Sequence, residues 1–445
     1  MDFATRQYNH NHRLDPIVRS RLDNDWYKLA MRQLIQHLFQ GVRVRWEMTN
    51  RTSDVRLAEI VDIVELREQL DYVKKLRYTT SEIIYLAGQR FYGVQGLFKP
   101  EFTATLADSE LPDYEVSINK ETGQFRFETE GEWEHGSDWE LYSLTIMNEL
   151  RNRALMKDMS RSDLDILYAR AKVKLYAKLE RLAQIPDLTI TDFGTRRRHS
   201  YLWQDHCVRT AKEVLGDKFI GTSNVAIAME QDLEPKGTNA HELPMVYAAL
   251  AAKEGDEAIR QSQYQVLLDW MNLYNDHLTI ALPDTFGTTQ FLENAPLFVA
   301  SFKGARPDSK EPIEAGEELI RFWQRNNCDP RQKLAIFADG MDVAIPGFKP
   351  NGTDIAKVAD HFRGRLGTSF GWGTMLTNDF IGCPAGDPMS MKPISLVCKV
   401  HSANGQPAVK LSDNFEKARS PDPLELERYR RIFGSAGMAN APTLV

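Results

Sequence analysis

The chain has 445 residues, 42% of them hydrophobic and 26% charged, and a formal net charge of −7. That length is too great for one small core and implies two or three domains, while the acidic balance excludes a general nucleic-acid binder but leaves room for a local basic pocket. The four cysteines form no C-x-x-C pair, residues 1–11 lack the apolar core of a signal peptide, and no apolar run nears the ~18 residues of a membrane span, so the expectation is a cytoplasmic protein with neither a disulfide framework nor structural zinc.

In chain order, the first patterned stretch is 26–39, where Leu29, Leu34, Ile35 and Leu38 fall near helical spacing behind Asp23 and Asp25 as candidate caps. Tyr27 falls in the first turn, at a core edge or in a cleft. Residues 42–49 alternate as a half-buried strand, and 57–76 read as a helix. Segments 85–91 and 98–106 mix strand and loop signals. Segments 114–118 and 124–130 read as a hairpin around Glu121-Thr122-Gly123. Ser137-Asp138-Trp139-Glu140 has the form of a capping box ahead of a helix over 141–156, and 161–184 is the longest helical pattern, stopped by Pro186.

From 188 onward short apolar runs alternate with amphipathic helices. The runs are 188–193, 219–223, 278–282, 297–302, 334–338 and 366–369, with a further short one at 236–238. Helices are expected at 201–215, 246–253, 258–274, 316–326 and 352–363. This alternation predicts βαβ units and a parallel sheet; seven or eight units favour a closed barrel, though an open doubly wound sheet fits the same pattern. After 380 the alternation stops. A loop over 384–393 leads to strands at 394–401 and 407–411 about the turn Ala403-Asn404-Gly405. The predicted class is α/β: an irregular β/α barrel plus an α+β domain with antiparallel strands built from both chain ends. The expected units are an N-terminal domain over 1–145, the catalytic barrel over 146–384, and a tail over 385–445 packing on the N-terminal domain.

In a β/α barrel, side chains for chemistry follow the C-terminal ends of strands. Those positions carry Asp192-Phe193-Gly194-Thr195-Arg196-Arg197, Gly221-Thr222-Ser223-Asn224, Gly237-Thr238-Asn239-Ala240-His241, Asp284-Thr285, Arg306-Pro307-Asp308-Ser309, Asp339-Gly340-Met341-Asp342 and Ser369-Phe370-Gly371-Trp372-Gly373-Thr374. Glycines let backbone N–H groups approach an anion, hydroxyls add donors, and arginine pairs with carboxylate or phosphate in two-point contact. Ser369 to Thr374 is the clearest phosphate cradle, although it matches neither the P-loop nor the dinucleotide fingerprint. His241 stands just before a helix whose first turn contains Pro244, at a corner that attracts anions; a histidine that merely caps the helix fits the same spacing.

Together these motifs resemble the nicotinate phosphoribosyltransferase family, from Asp25 to the Leu376-Thr377-Asn378-Asp379 stretch. The resemblance implies that nicotinate and 5-phosphoribosyl-1-diphosphate form nicotinate mononucleotide and diphosphate in NAD salvage, coupled to ATP hydrolysis, with Mg²⁺, in a homodimer. It implies that His241 is phosphorylated. Tyr27, Arg196, Thr238 and Arg306 match positions that contact nicotinate, and Asp308, Asp339, Gly340, Ser369, Gly371, Gly373 and Thr374 match the phosphoribosyl-diphosphate side. No direct protein ligand for the metal is implied. Lys310-Glu311 stand where the family often has Gly-Asp. The chemistry agrees: a pyridine nitrogen already carries its lone pair, so no general base is needed, and electrostatics at the leaving group dominate. Alternatives are a nicotinamide or quinolinate phosphoribosyltransferase, an aldolase using Lys303, and a silent sensor of phosphoribosyl diphosphate.

Overall fold

The structure is a computed structural model that describes residues 3–8 and 15–442. Val116, Phe125 and Phe127 turn inward on two strands, Tyr114–Asn119 and Gln124–Glu132, and Gly123 in the left-handed region (φ +66°) closes them into the expected hairpin. The hairpin extends into a five-stranded antiparallel sheet. Its central strand, Arg43–Asn50, pairs on one side with Gln124–Glu132 and on the other with Leu396–Ala403, and Gln406–Pro407 forms the far edge. Both chain ends therefore build one sheet, as expected.

Local chemistry moves several element boundaries. The 57–76 pattern divides into a 3-10 turn, Leu57–Glu59, and a helix, Ile63–Lys75, started by Asp62, which accepts a hydrogen bond from the Val64 N–H. The ambiguous 85–91 stretch is mostly helix, Thr80–Gly88, begun by a full capping box between Thr79 and Glu82. A tight hairpin, Arg90–Phe91 with Val94–Gln95, follows it. The box expected at Ser137 does not form. Asp138 precedes the helix Trp139–Met156 without capping it, and accepts instead from Arg21 and Asn24, both at 2.8 Å. Buried cationic and amide partners outcompete the local cap.

The second sheet has six parallel strands in the order Phe219–Thr222, Ile190–Asp192, Gly367–Trp372, Leu334–Phe337, Gly304–Ala305, Ile280–Ala281. Beyond Phe219–Thr222, a lone parallel bridge from Thr222 to Pro235 stands in for the short run expected at 236–238. Among the described residues no ladder joins that bridge to Ile280–Ala281, and side chains span the gap instead: His241 to Asp284, and Arg306 to Thr238. The barrel is thus irregular, and its irregular seam carries the residues of interest. The run at 297–302 is a helix, Leu297–Ser301, because a short apolar stretch does not fix its own period. The strand there is Gly304–Ala305; a Cβ on Gly304 would sit 2.0 Å from the Leu334 carbonyl oxygen.

The tail divides, contrary to the expectation that all of it packs on the N-terminal domain. After Pro407 the chain crosses to the barrel, where the N–H groups of Leu411 and Ser412 donate to the Thr285 carbonyl at 2.9 and 3.1 Å. Helix Pro423–Phe433 then packs Tyr429, Ile432 and Phe433 around Phe286 and Ile259. The main apolar core runs through both units, with Trp26, Trp133 and Trp372 fully buried. No helix among the described residues is long and apolar enough to cross a membrane.

Candidate active site

A cleft of about 980 Å³, counting its open mouth, lies between the strand ends of the barrel and the five-stranded sheet. The strand Ile190–Asp192 shapes its floor. The Asp192 carboxylate accepts from the Gly194 N–H (2.8 Å), the Gln204 amide (2.7 Å) and the Thr222 hydroxyl (2.7 Å). These bonds fold 194–197 into a tight turn that carries Phe193 and Arg196 to the cleft. The turn needs glycine: a Cβ on Gly194 would lie 2.2 Å from the Thr377 hydroxyl.

Arg306 follows the strand Gly304–Ala305 and is held on three sides. Its Nε donates to the Thr238 hydroxyl (2.9 Å), one terminal nitrogen to the Asn239 carbonyl (2.8 Å), and the other pairs with Asp308 (2.6 Å). Guanidinium donors remain on both terminal nitrogens for a ligand. His241 is the residue before helix Glu242–Ala251 and makes no capping bond, so it is not the helix-capping histidine. Its Nε2 lies 2.9 Å from Asp284 and its Nδ1 4.0 Å from Asp308. Burial pushes the imidazole down to about 4. Burial opposes ionisation of Asp284, but His241, Lys410 and the Ser309 hydroxyl hold its carboxyl well below the usual carboxylate range. An ionised Asp284 can only accept, so Nε2 carries the proton and Nδ1 keeps a lone pair on the Asp308 side.

The N-terminal segment is stitched to the same chain's barrel. The Trp26 N–H donates to the Ser223 carbonyl and the Ser223 hydroxyl to Asp25, both at 2.7 Å, which places Tyr27 on the cleft. Lys28, fully buried, pairs with Glu140 (2.8 Å) and Glu242 (2.7 Å), and Trp133 Nε1 also donates to Glu242 (2.8 Å). This anchors the residue next to His241. Burial, then Glu140, pushes the Tyr27 phenol well above its ordinary range, so it stays neutral.

The opposite wall crowds cations. Lys399 lies 3.3 Å from Glu140, and Arg196 reaches the same carboxylate at 3.7 Å. Burial, with Arg196 and Arg51 nearby, pulls Arg197 down to about 9; burial, with Arg419 and Arg196, pulls Arg51 down to about 10. Lys410 falls to about 8, mainly through burial. Among the described residues the buried Arg51 Nε has no hydrogen-bond partner. Mutual repulsion and burial disfavour these charges until an anion arrives.

The nicotinate phosphoribosyltransferase (NAPRTase) family model matches residues 188–436, and the model of that family's N-terminal domain matches residues 22–148. The chain belongs to the nicotinate phosphoribosyltransferase family. It is an enzyme of that family, and its fold is shared by solved structures. A nicotinate phosphoribosyltransferase from Vibrio cholerae is 30% identical, with a TM-score of 0.81 over 96% of each chain. One from Porphyromonas gingivalis is 26% identical, with a TM-score of 0.78 over 94% of this chain and 100% of that one. A putative nicotinate phosphoribosyltransferase from Saccharomyces cerevisiae, at 24% identity and a TM-score of 0.78 over 96% and 100%, has the same fold.

Within this family fold, the cleft brings together Tyr27, Arg196, Thr238, His241, Arg306, Asp308, Asp339, Gly340, Gly373 and Thr374. Ser369 and Gly371 do not line it. The strand Gly367–Trp372 runs to Trp372, so both lie inside the sheet, and a Cβ on Gly371 would strike the Phe193 ring at 2.2 Å. Gly371 thus seats Phe193 against the cleft and takes no part in an anion cradle. Asp342 turns away to pair with Lys178. Lys310 points to Glu318 and Thr289, and Glu311 caps helix Pro312–Arg325. Lys303 is exposed and precedes its strand, so it supplies no Schiff-base lysine at the strand ends. Sequence reasoning missed Glu140 and Lys399 as cleft residues and the cations behind them; the Lys399 signal was a lysine set between the apolar residues Leu396 to Cys398 and Val400 of the tail strand.

Proposed function

We propose that this enzyme joins nicotinate to 5-phosphoribosyl-1-diphosphate, giving nicotinate mononucleotide and diphosphate for NAD synthesis, and couples the reaction to ATP hydrolysis through a phosphohistidine at His241. One observation carries the reading: a neutral His241, oriented by Asp284, shares one cleft with a preoriented Arg306 and a wall of crowded cations. Arg306 receives the pyridine carboxylate, with Arg196 as a second cation, and Phe193 and Tyr27 supply flat surfaces for the ring. A carboxylate-bearing pyridine suits these arginines better than nicotinamide; assaying nicotinate, nicotinamide and quinolinate side by side tests that choice.

In phosphoribosyl transfer the pyridine nitrogen attacks C1 of the ribose and the C1–O bond to diphosphate breaks. Charge grows on the leaving group, towards Lys399 and Arg197 with Arg51 behind them. Gly373 and Thr374 offer an N–H-rich edge on the phosphoribosyl side, with Asp339 and Gly340 beside it. Asp308 pairs with Arg306 and Asp339 with Lys417, and these two carboxylates are the residues that would hold Mg²⁺, which would supply positive charge at the leaving group. In the coupling step the Nδ1 lone pair attacks the γ-phosphorus of ATP, the bond to the β-phosphate oxygen breaks, and ADP leaves; water later releases orthophosphate. The added charge of about −2 next to Asp308 and Arg306 reorganises both. The reading includes a cytosolic homodimer, which sedimentation of the purified enzyme tests.

The deciding experiment follows ATP-dependent nicotinate mononucleotide synthesis with mapping of acid-labile phosphate. The expected result is phosphate on His241 during turnover and complete loss of ATP stimulation in His241→Asn. Undiminished stimulation in that variant overturns the coupling mechanism.

A further inference from the structure

The hairpin after helix Thr80–Gly88 turns through two residues, Tyr92 and Gly93, both with positive φ (+52° and +77°). That turn type selects Asn-Gly or Gly-Gly, because a Cβ is disfavoured in the left-handed region. A tyrosine there is an outlier, and an outlier held against its backbone preference points to a use for the side chain. Phe91, fully buried against Trp26 and Phe98, fixes the base of the hairpin. Tyr92 at the tip is 40% exposed, so burial alone does not account for it.

What Tyr92 touches is the segment that enters the active site. Its hydroxyl donates to the Gly237 carbonyl (2.7 Å) and accepts from the Gly237 N–H (2.8 Å), closing both backbone groups of one residue. Its own N–H donates to the Glu234 carboxylate. The Lys236 ammonium lies 4.5 Å from the ring centroid, and the ring packs edge-on against Trp26. On its other side Gly237 abuts Trp26 and the Tyr27 backbone, where a Cβ would meet the Tyr27 nitrogen at 3.2 Å. The next two residues, Thr238 and Asn239, accept the two hydrogen bonds that aim the Arg306 guanidinium.

We infer that Tyr92 is a positioning residue: by clamping Gly237 from the N-terminal unit it sets Thr238 and Asn239, and through them the angle at which Arg306 meets the carboxylate of the pyridine substrate. The inference rests on the reading of Arg306 as the carboxylate site. Of the two reacting substrates Tyr92 acts on the pyridine, because Gly237 adjoins the residues that aim Arg306 and not the Gly373-Thr374 edge or the cation wall, while His241, farther along the same segment, is fixed by its own bond to Asp284.

Tyr92→Phe removes a single oxygen and keeps the ring on Trp26 and Lys236. The expected result in steady-state assays of the full-length enzyme is a five- to tenfold rise in KM for nicotinate, the scale of losing one or two hydrogen bonds, with KM for 5-phosphoribosyl-1-diphosphate and kcat each within about twofold. The preference for nicotinate over nicotinamide falls by the same factor. Nicotinate KM within twofold of wild type, both KM values rising together, or a fall in kcat alone overturns the inference. Arg306→Ala runs beside it. If that variant leaves nicotinate KM unmoved, the carboxylate reading itself fails; if it raises KM while Tyr92→Phe does not, only the role of Tyr92 fails.

Discussion

On the wall that carries His241 and Arg306 the charged groups are matched, whereas the wall where the chain ends meet the 194–197 turn of the barrel holds cations against one another. Arg306 has three partners, and His241 and Asp284 complete each other. Across the cleft, Arg51 and Arg197 are pulled down by burial and by neighbouring cations, and Arg51 Nε has no partner among the described residues. A matched wall is preorganised: its geometry exists before the ligand, so little reorganisation is needed on binding. A crowded wall is unfavourable until an anion relieves it, which converts stored repulsion into selectivity for highly charged ligands.

The sharpest break in this comparison is Asp284→Asn. The amide keeps the shape but removes the charge that fixes the His241 tautomer, and it leaves Lys410 with Asp308 as the remaining carboxylate acting on it. Losing the hydrogen bond between this carboxylate and the neutral imidazole costs about 1.5–3 kcal/mol, so phosphohistidine formation falls by roughly 10- to 150-fold. Phosphoribosyl transfer without ATP changes far less, because Arg306 is held by Thr238, Asn239 and Asp308 and not by Asp284. Rapid-quench phosphorylation beside steady-state synthesis separates the two; equal losses would show that the matched wall is one inseparable unit.

Lys399→Met addresses the other wall. KM for 5-phosphoribosyl-1-diphosphate is expected to rise about tenfold, with a shallower dependence on ionic strength. The melting temperature of the free enzyme stays level or rises, since a crowded cation has been removed. Its increase on saturation with diphosphate shrinks; a ligand at 100 times its Kd contributes about 2.7 kcal/mol to the intact site. A fall in the free enzyme's melting temperature would instead mean that Lys399 serves mainly to neutralise Glu140.

The difference between the walls also explains what the sequence disclosed. Strand ends in a βα repeat announce themselves locally, so Arg196, Thr238, His241, Arg306 and Asp339 all stand out as polar residues just past an apolar run, and the family resemblance sharpened their roles. Ser369 and Gly371 were misplaced because the strand runs on to Trp372, beyond where its apolar pattern fades. The helix at Leu297–Ser301 and the two-residue strand Gly304–Ala305 exchanged places, since neither length nor period distinguished them. The cation wall stayed hidden for a different reason. Arg51, Lys399, Lys410 and Arg419 come from opposite ends of the chain, and only long-range strand pairing and the crossing of the tail to Thr285 bring Lys399 to the cleft and the other three behind it. The same holds for Lys28, whose two carboxylate partners lie more than a hundred residues away.

Lys410 gives the smallest expected effect and the one with a definite sign. Burial brings it from 10.5 down to about 8; Asp284 and Asp308 act to raise it, Lys399 and Lys417 to lower it. Between those values the folded chain binds fewer protons than the unfolded one, so the stability of the free enzyme rises with pH from about 8 towards 10.5. Below 8 the charged form is present and its cost is felt in full. An anion reverses the balance by favouring charged Lys410, so affinity for inorganic diphosphate should fall about threefold to tenfold as pH passes through 8. Of the groups around Lys410, His241, near 4, titrates well below this range; Asp413, pushed up to about 7 by burial and then Asp284, and Arg197, near 9, titrate at its edges and are common to wild type and variant. Diphosphate changes its own charge over this range, but identically for wild type and Lys410→Met, so the comparison isolates the lysine. Calorimetric titrations of both from pH 7 to 9 are expected to show an additional pH-dependent loss in wild type, beyond the change the two proteins share. Parallel curves would remove Lys410 from the wall and leave the repulsion to the arginines and Lys399.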